Sequence, residues 1–300
     1  MELDQLRYFI NVAKHGSFSR AAAAMDVSQP FLSRQVRRLE IELHRHLFYR
    51  HGRGIWLTED GERFLRTAKS VTHQLELAAQ VTSGPANELT GGFSFGLTPS
   101  LSRTVAVPLV RAFTARFPLA RLSIVEDLSR KLHDRVLSGQ LDAALLHDQA
   151  PSSQVEVEPM CRLELHLLTR RAEWATGRTS IDFAELAKLP MIFPSAPNPL
   201  RSAVEAQAAA SGVELQVVHD VDGVETILDL VREGFGCTVT SAQVVGVDRR
   251  AESLMAIPIA NPSMITTLSL TMAARQPPST LRDLTVAVVR DVLARELARS

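Results

Sequence analysis

Apolar residues recur at helical spacing from the start of the chain. Leu6, Phe9, Ile10 and Ala13 share one face of residues 3–15, and Gly16 follows where a helix would end. Ser17 is placed to cap a second helix running through Phe18 to Met25, whose Ala21-Ala22-Ala23-Ala24 run lets another helix pack closely. After a break at Asp26-Val27, Ser28 is a good N-cap, and Pro30 falls in the first turn, where its missing N–H loses no intrahelical partner. A third helix is predicted there, because Leu32, Val36, Leu39 and Leu43 form one stripe to be buried. Leu47-Phe48-Tyr49-Arg50 and Ile55-Trp56-Leu57 read as short strands around His51-Gly52-Arg53-Gly54, a glycine-rich hairpin tip carrying cations. Thr58 can cap a fourth helix, with Glu59, Asp60 and Glu62 complementing the positive end of its dipole. Phe64, Ala68, Val71, Leu75 and Ala78 then step as a coiled-coil seam does. Over so few turns, a helix lying on its own domain fits as well. Ser83-Gly84-Pro85 is expected to end that helix, with a short linker reaching Gly91-Gly92.

Beyond the linker the periodicity switches repeatedly between strand and helix. Phe93, Phe95 and Leu97 alternate as a strand, and Thr98-Pro99-Ser100 leads into a helix with Leu101, Val105, Leu109 and Phe113. Residues 122–126 read as strand, 129–137 as helix closed by Gly139, and 141–146 as an apolar strand. A second set begins near 163–168, continues through 181–187 and the strand 191–193, and reaches a helix from about Pro199 to Ala210 closed by Gly212. Residues 213–218 are strand-like, 224–232 helical, 236–240 and 266–272 strands, and 281–297 a final helix. Such alternation predicts a mostly parallel sheet with helices on its faces.

The predicted organisation is therefore a multidomain chain. A winged helix-turn-helix head over 1–58, all-α apart from its wing, is followed by a linker helix and hinge over 59–90, whose seam makes it the candidate dimerisation helix. An α/β effector domain over 91–300 divides into lobe I, about 91–161 and 267–300, and lobe II, about 162–266. Two lobes joined by crossing strands near 161–163 and 264–267 resemble a periplasmic-binding-protein type II fold.

Composition narrows the function. At 300 residues, 45% hydrophobic and 22% charged, the chain can bury sizeable cores. Its formal net charge is zero, so any basic surface is local. Nine Lys or Arg stand against five Asp or Glu over residues 1–58, so that stretch carries +4 and the remainder −4. Cys161 and Cys237 lie far apart with no CxxC spacing, which suggests neither a disulfide framework nor a zinc site. The opening Met1-Glu2-Leu3-Asp4 lacks a basic then apolar leader, and no stretch reaches the roughly 18 apolar residues of a membrane span. A cytoplasmic protein without membrane contact is expected. His133, His147, His166 and His219 are isolated and read as structural or surface histidines, so no metal is predicted. Gly234-Phe235-Gly236 is too short for a dinucleotide fingerprint. No nucleophile, base and orienting group stand out as a set, so no catalytic residue and no cofactor are expected, and the protein reads as a non-enzyme.

The polar face of the third helix carries the candidate chemistry. Gln29, Ser33, Arg34 and Arg37 lie off the apolar stripe near its N-terminal half, where a recognition helix presents side chains to base edges. Gln pairs with adenine and Arg with guanine, each worth about 1–3 kcal/mol of discrimination. Alone, such a face is better read as a merely solvated surface. The hairpin after it makes a wing, whose Arg50 and Arg53 would meet phosphates or the minor groove.

These residues also carry a family resemblance. Phe9, Gly16-Ser17-Phe18, Ala21-Ala22, Val27-Ser28-Gln29-Pro30, Ser33-Arg34-Gln35, Leu39-Glu40, Leu47-Phe48, Arg50, and Leu57-Thr58 with Gly61 stand in the order of the LysR-type transcriptional regulators. The pattern spans the whole head and is highly specific. His44 stands where that family usually carries glycine, and Phe31 is bulkier than its usual small residue. The resemblance implies operator DNA as partner, read by Ser28, Gln29, Pro30, Ser33, Arg34, Arg37, Arg50 and Arg53. It further implies self-association through the linker helix into dimers, commonly tetramers, with RNA polymerase as a further partner.

In an open α/β sheet the ligand sits beyond the carboxyl ends of the strands, where helix N-termini favour an anion. Thr98, Ser100 and Ser102 surround one such start, and Asn198 and Arg201, with Ser195, another. The same residue types serve as plain helix caps and surface cations. The resemblance raises Thr98 and Ser100, and adds the loop Asp127-Leu128-Ser129. A small effector, an organic or inorganic anion, is thus expected at Thr98, Ser100, Ser102, Ser129, Asn198 and Arg201. A solute-binding protein of transport and an enzyme are the competing readings of the two-lobed part alone.

Overall fold

The computed structural model of the chain describes residues 1–51, 54–79, 88–171, 175–242, 253–274 and 279–297. The chain divides into two compact units, the first made mainly of Met1–Thr82 and the second of Ser83–Leu137, Leu141–Arg275 and Thr280–Ser300.

The first unit holds α1 (Leu3–His15), α2 (Phe18–Ala24), α3 (Gln29–Glu42), the hairpin β1 (Phe48–His51) and β2 (Gly54–Leu57), and α4 (Glu59–Ala79). Each junction follows its local chemistry. Gly16 ends α1 in the left-handed region at φ 59°, the Ser17 hydroxyl accepts from the Arg20 N–H, and the Ser28 hydroxyl accepts from the Phe31 N–H. Leu32, Val36 and Leu39 are fully buried among Phe9, Ala21 and Ala22. Phe9 lies 5.2 Å, centroid to centroid, from both Phe48 and Phe64, so one aromatic cluster ties α1 to the wing and to α4. Phe31, bulkier than expected, sets its ring edge-on to Tyr8 at 5.7 Å.

Past α3 the Arg45 N–H bonds the Glu40 carbonyl and the His44 N–H that of Ile41, the paired bonds of a Schellman turn. That turn needs a left-handed residue, and His44 occupies it at φ 51°. The glycine the resemblance leads one to expect would adopt this conformation without a Cβ penalty. His44→Gly should accordingly stabilise the head, by about 0.5–1 kcal/mol once the flexibility glycine adds to the unfolded chain is subtracted. Chemical denaturation of the two proteins checks this, and an unchanged or lower midpoint would refute it.

Helix α4 starts on a buried cap. The Thr58 hydroxyl accepts from the Gly61 N–H at 2.9 Å and donates to the His46 carbonyl at 2.6 Å. The apolar seam of α4 is split. Phe64 and Ala68 pack into the head core, whereas Val71 and Leu75 are exposed, at 36% and 47%. Its first half therefore lies on its own domain. The side chain of Ala78 and the Ser83-Gly84-Pro85 segment lie outside the described residues.

The second unit is built on an eight-stranded sheet. Here β3 (Gly91–Leu97) pairs in parallel with β4 (Ala120–Glu126) and β5 (Ala143–His147). Helices α5 (Pro99–Arg116) and α6 (Ser129–Leu137) connect them. Next comes β6 (Val155–Arg170), then β7 (Ile181–Asp182), a 3-10 turn over Phe183–Lys188, β8 (Pro190–Phe193), α7 (Pro199–Ala210), β9 (Gln216–Asp220), α8 (Val224–Glu233) and β10 (Thr238–Ser241). The chain ends with β11 (Leu254–Ala260), β12 (Ile265–Ala273) and α9 (Thr280–Leu297).

Two of these strands serve both lobes. Leu163 of β6 and Leu268 of β12 sit in a core with Phe93, Phe95 and Val289, while Leu165 and Met264 sit in another with Phe183, Met191 and Val204. Each strand passes from one core to the other within a few residues. This makes the sheet mixed, correcting the expectation of a mostly parallel one: β12 pairs antiparallel with β5 and β6, and β6 antiparallel with β10 and β11. Strands that pass between lobes return as neighbours rather than through a crossover helix, so they run antiparallel. The two-stranded sheet β8–β9 is parallel. Strand β9 begins at Gln216 rather than Val213, and β11 falls where no element was expected.

Candidate functional site: a DNA-reading helix and an inter-lobe cleft

In the first unit, burial of the Leu32, Val36 and Leu39 stripe forces the opposite face of α3 outward. Gln29, Pro30, Arg34 and Arg37 are exposed and Ser33 is half-buried. Arg34 and Arg37 make no ion pair among the described residues. Ser28 and Pro30 act on the helix start itself, one capping it and the other occupying its first turn. Arg50 lies in β1 opposite Ile55. Arg53 lies outside the described residues.

One contact that sequence reasoning missed fixes the helix to the wing. The Glu40 carboxylate, 6% exposed, accepts from the Leu47 N–H at 2.8 Å and the Phe48 N–H at 3.3 Å. A glutamate beside an apolar stripe is the signal that could have found it, since such a side chain is buried only when paired.

In the second unit a cavity of about 120 Å³ opens between the lobes. Four helix starts converge on it: Thr98, Pro99 and Ser100 of α5; Leu128 and Ser129 at α6; Asn198, Pro199 and Leu200 of α7; and Asp222 with Val224 at α8. The carboxyl end of β5 adds His147, the crossing strands add Leu165 and Thr266, and β10 adds Thr238 to Ser241. Ile227, Leu228 and Val239 make part of the wall apolar. No Lys or Arg is among the described lining residues, so any attraction for an anion must come from the helix termini. The α5 terminus is available, because Thr98 forms no side-chain cap, and its hydroxyl lies 3.3 Å from that of Ser100. At α7 the Asn198 side-chain oxygen already accepts from the Leu200 and Arg201 N–H groups.

Thr98, Ser100, Ser129 and Asn198 are thus brought together, and Ser102 and Arg201 are not among the lining residues. The Arg201 guanidinium is committed elsewhere: it donates to Glu205 at 2.6 Å, Asp220 at 2.5 Å and the Pro194 carbonyl at 3.0 Å. These partners raise its pKa, the Glu205 bond foremost. The ion pair Arg103–Glu225 joins α5 of one lobe to α8 of the other.

His147, set aside on sequence as isolated, is the residue this cleft adds. Its Nδ1 lies 3.2 Å from the Thr266 hydroxyl, which itself donates to the Asp148 carboxylate at 2.6 Å. Burial lowers the imidazole pKa, and Asp148 opposes that shift. Neither cysteine lines the cavity, and burial pushes both thiol pKa values up, at Cys237 against a hydrogen bond with Thr169. Among the described residues no group of His, Cys, Asp and Glu is arranged to hold a metal, and no helix is long and apolar enough to cross a membrane.

A helix-turn-helix unit with a basic recognition face, and a two-lobed unit with an inter-lobe cleft, define a ligand-responsive DNA-binding regulator. Residues 3–62 match the bacterial regulatory helix-turn-helix protein model of the lysR family, and residues 86–297 match the LysR substrate binding domain. The chain belongs to the LysR family of transcriptional regulators, whose members bind DNA through the head and an effector through the two-lobed domain. It is 30% identical over 297 residues to the HTH-type transcriptional regulator BbuR of Bordetella bronchiseptica, covering 99% of this chain and 90% of that protein. It is 28% identical over 276 residues to the nitrogen assimilation regulatory protein nac of Klebsiella aerogenes, covering 92% of this chain and 90% of that protein. Among solved structures, the LysR family regulator CbnR superposes with a TM-score of 0.74 at 22% identity, covering 97% of this chain and 99% of that one. The relatives' names are those of transcriptional regulators rather than enzymes.

Proposed function

We propose that this regulator reads its operator through Gln29, Ser33, Arg34 and Arg37, with Ser28 and Pro30 shaping the helix start and Arg50 and Arg53 gripping the backbone. A small organic anion in the cleft, held at Thr98, Ser100, Ser129 and Asn198, biases its activity. The observation that carries the reading is the exposure of Gln29, Arg34 and Arg37 on the face of α3 opposite its buried stripe. The chain binds its ligand without transforming it, works in the cytoplasm, and self-associates through α4, where Val71 and Leu75 continue the apolar seam into solvent. A heads-together dimer places two recognition helices on successive half-sites, and RNA polymerase is the partner the bound regulator would engage. The division at 1–58, 59–90 and 91–300 serves these three tasks.

Footprinting tests the division of labour. Arg34→Ala should relax sequence preference by about 1–3 kcal/mol at one base position, while Arg53→Ala should weaken binding to all duplexes alike and lower its salt dependence. A protein that prefers no site in its own upstream region over random duplex at physiological salt would sink the reading.

A further inference from the structure

The cleft contains one hydrogen-bonding group whose direction is set by its neighbours. Asp148 takes a left-handed backbone at φ 50°, where a non-glycine residue is strained. It is held there by bonds in both directions with Thr267: its own N–H donates to the Thr267 carbonyl at 2.8 Å, and its Oδ1 accepts from the Thr267 N–H at 2.7 Å. That leaves Oδ2 for the Thr266 hydroxyl, 3% exposed, which gives it its only proton. A hydroxyl that has donated can only accept from the imidazole on its other side. Nδ1 of His147 therefore carries a proton, and the neutral ring presents Nε2 as a lone pair. Burial favours that neutral ring, and Nε2 has no partner among the described residues.

A lone-pair acceptor in the wall of a cleft ringed by helix N-termini asks two things of a ligand. The termini call for a negative group, and Nε2 repels a carboxylate but welcomes an N–H or O–H. Asp222, also in the wall, adds to that demand. At about 120 Å³ the cavity is small against the several hundred Å³ of typical ligand pockets. We propose that the effector is a small organic acid bearing a hydroxyl or amino donor, a hydroxy or amino acid, and that His147 selects it by accepting that donor, with Thr266 and Asp148 as positioning residues. This rests on the reading of the cleft as an acid site.

Calorimetric titration of the full-length protein with matched acids tests it: propionate against lactate and alanine, and succinate against malate and aspartate. In at least one series the donor-bearing acid should bind about tenfold or more tighter than its parent, the difference one satisfied hydrogen bond makes. Hydroxy against amino members separates the two donor types. His147→Phe should abolish the preference, and Thr266→Val should reduce it with the histidine still present. Side-chain 15N spectra, assigned by loss of the His147 signals in His147→Gln, should show Nδ1 protonated in the wild type and a mixed tautomer in Thr266→Val. Equal binding of parent and donor-bearing acids, or a preference that survives His147→Phe, overturns the donor claim and leaves the acid site standing. No binding by any acid overturns both.

Discussion

Gly61→Ala should unfold the head and abolish DNA binding while the effector domain keeps its own thermal transition. A Cβ at this position would lie 2.0 Å from the Leu47 carbonyl oxygen and 3.0 Å from its carbon, with the Leu57 Cδ2 at 3.1 Å. The first two are backbone atoms, and neither can swing aside. Either the start of α4 or the entry to the wing must move, and both are held by shared bonds. The Leu47 carbonyl accepts from the Thr58 N–H at 3.0 Å, Thr58 bonds both Gly61 and His46, and the Leu47 N–H is bound to Glu40. Separating α4 from the wing costs several of these at about 1 kcal/mol each, besides displacing Phe64 from the aromatic cluster. A loss of roughly 4–6 kcal/mol reaches the lower range of whole-domain stabilities. Calorimetry should show the head transition missing. A Gly61→Ala protein that melts like the wild type and retains operator affinity would refute the argument.

Gly61 also shows what kind of information the sequence held. Its place after Leu57-Thr58 was legible as part of a family pattern, but the reason for glycine there is the approach of a carbonyl fourteen residues upstream. Local rules did well where local chemistry decides. The limits of α1, α3, α5, α6 and α7 follow from caps, glycines and stripes within a turn or two of each end. They failed where partners are distant. Strand β11 escaped notice because Pro258 interrupts its pattern, although Ile257 and Ile259 are buried on alternate positions, and its place is set by pairing with β6. The mixed sheet has the same origin, since nothing within β6 says that it runs antiparallel to β12.

The cleft divides along the same line. The rule that ligands sit at helix starts beyond strand ends led to Thr98, Ser100 and Asn198, and the family resemblance added Ser129. Ser102 lies one turn further on, its N–H already bonded to the Thr98 carbonyl. For Arg201, the Glu205 partner four residues on was readable from helical spacing, but Asp220 arrives through the parallel pairing of β8 with β9. A guanidinium with three protein acceptors is a strut between strand and helix. His147 was passed over because its partners Thr266 and Asp148 come together only once β12 lies beside β5.

Glu40→Ala should cost the head about 3 kcal/mol and weaken operator binding, although Glu40 is buried and bonded to the wing. Its carboxylate is the acceptor for two wing N–H groups, and alanine would leave both buried donors unpaired at about 1–3 kcal/mol each, partly relieved by relaxation or entering water. Losing the tether also frees the wing relative to α3, so phosphate and base contacts are no longer positioned as one unit. Glu40→Gln separates the two effects. Its amide oxygen can still accept both bonds, so it should lose roughly half as much stability and keep most of the DNA affinity. Denaturant titration and operator binding on the wild type and both variants supply the comparison. Equal behaviour of alanine and glutamine, or a loss below about 0.5 kcal/mol for alanine, would show that the wing is held by its apolar packing alone.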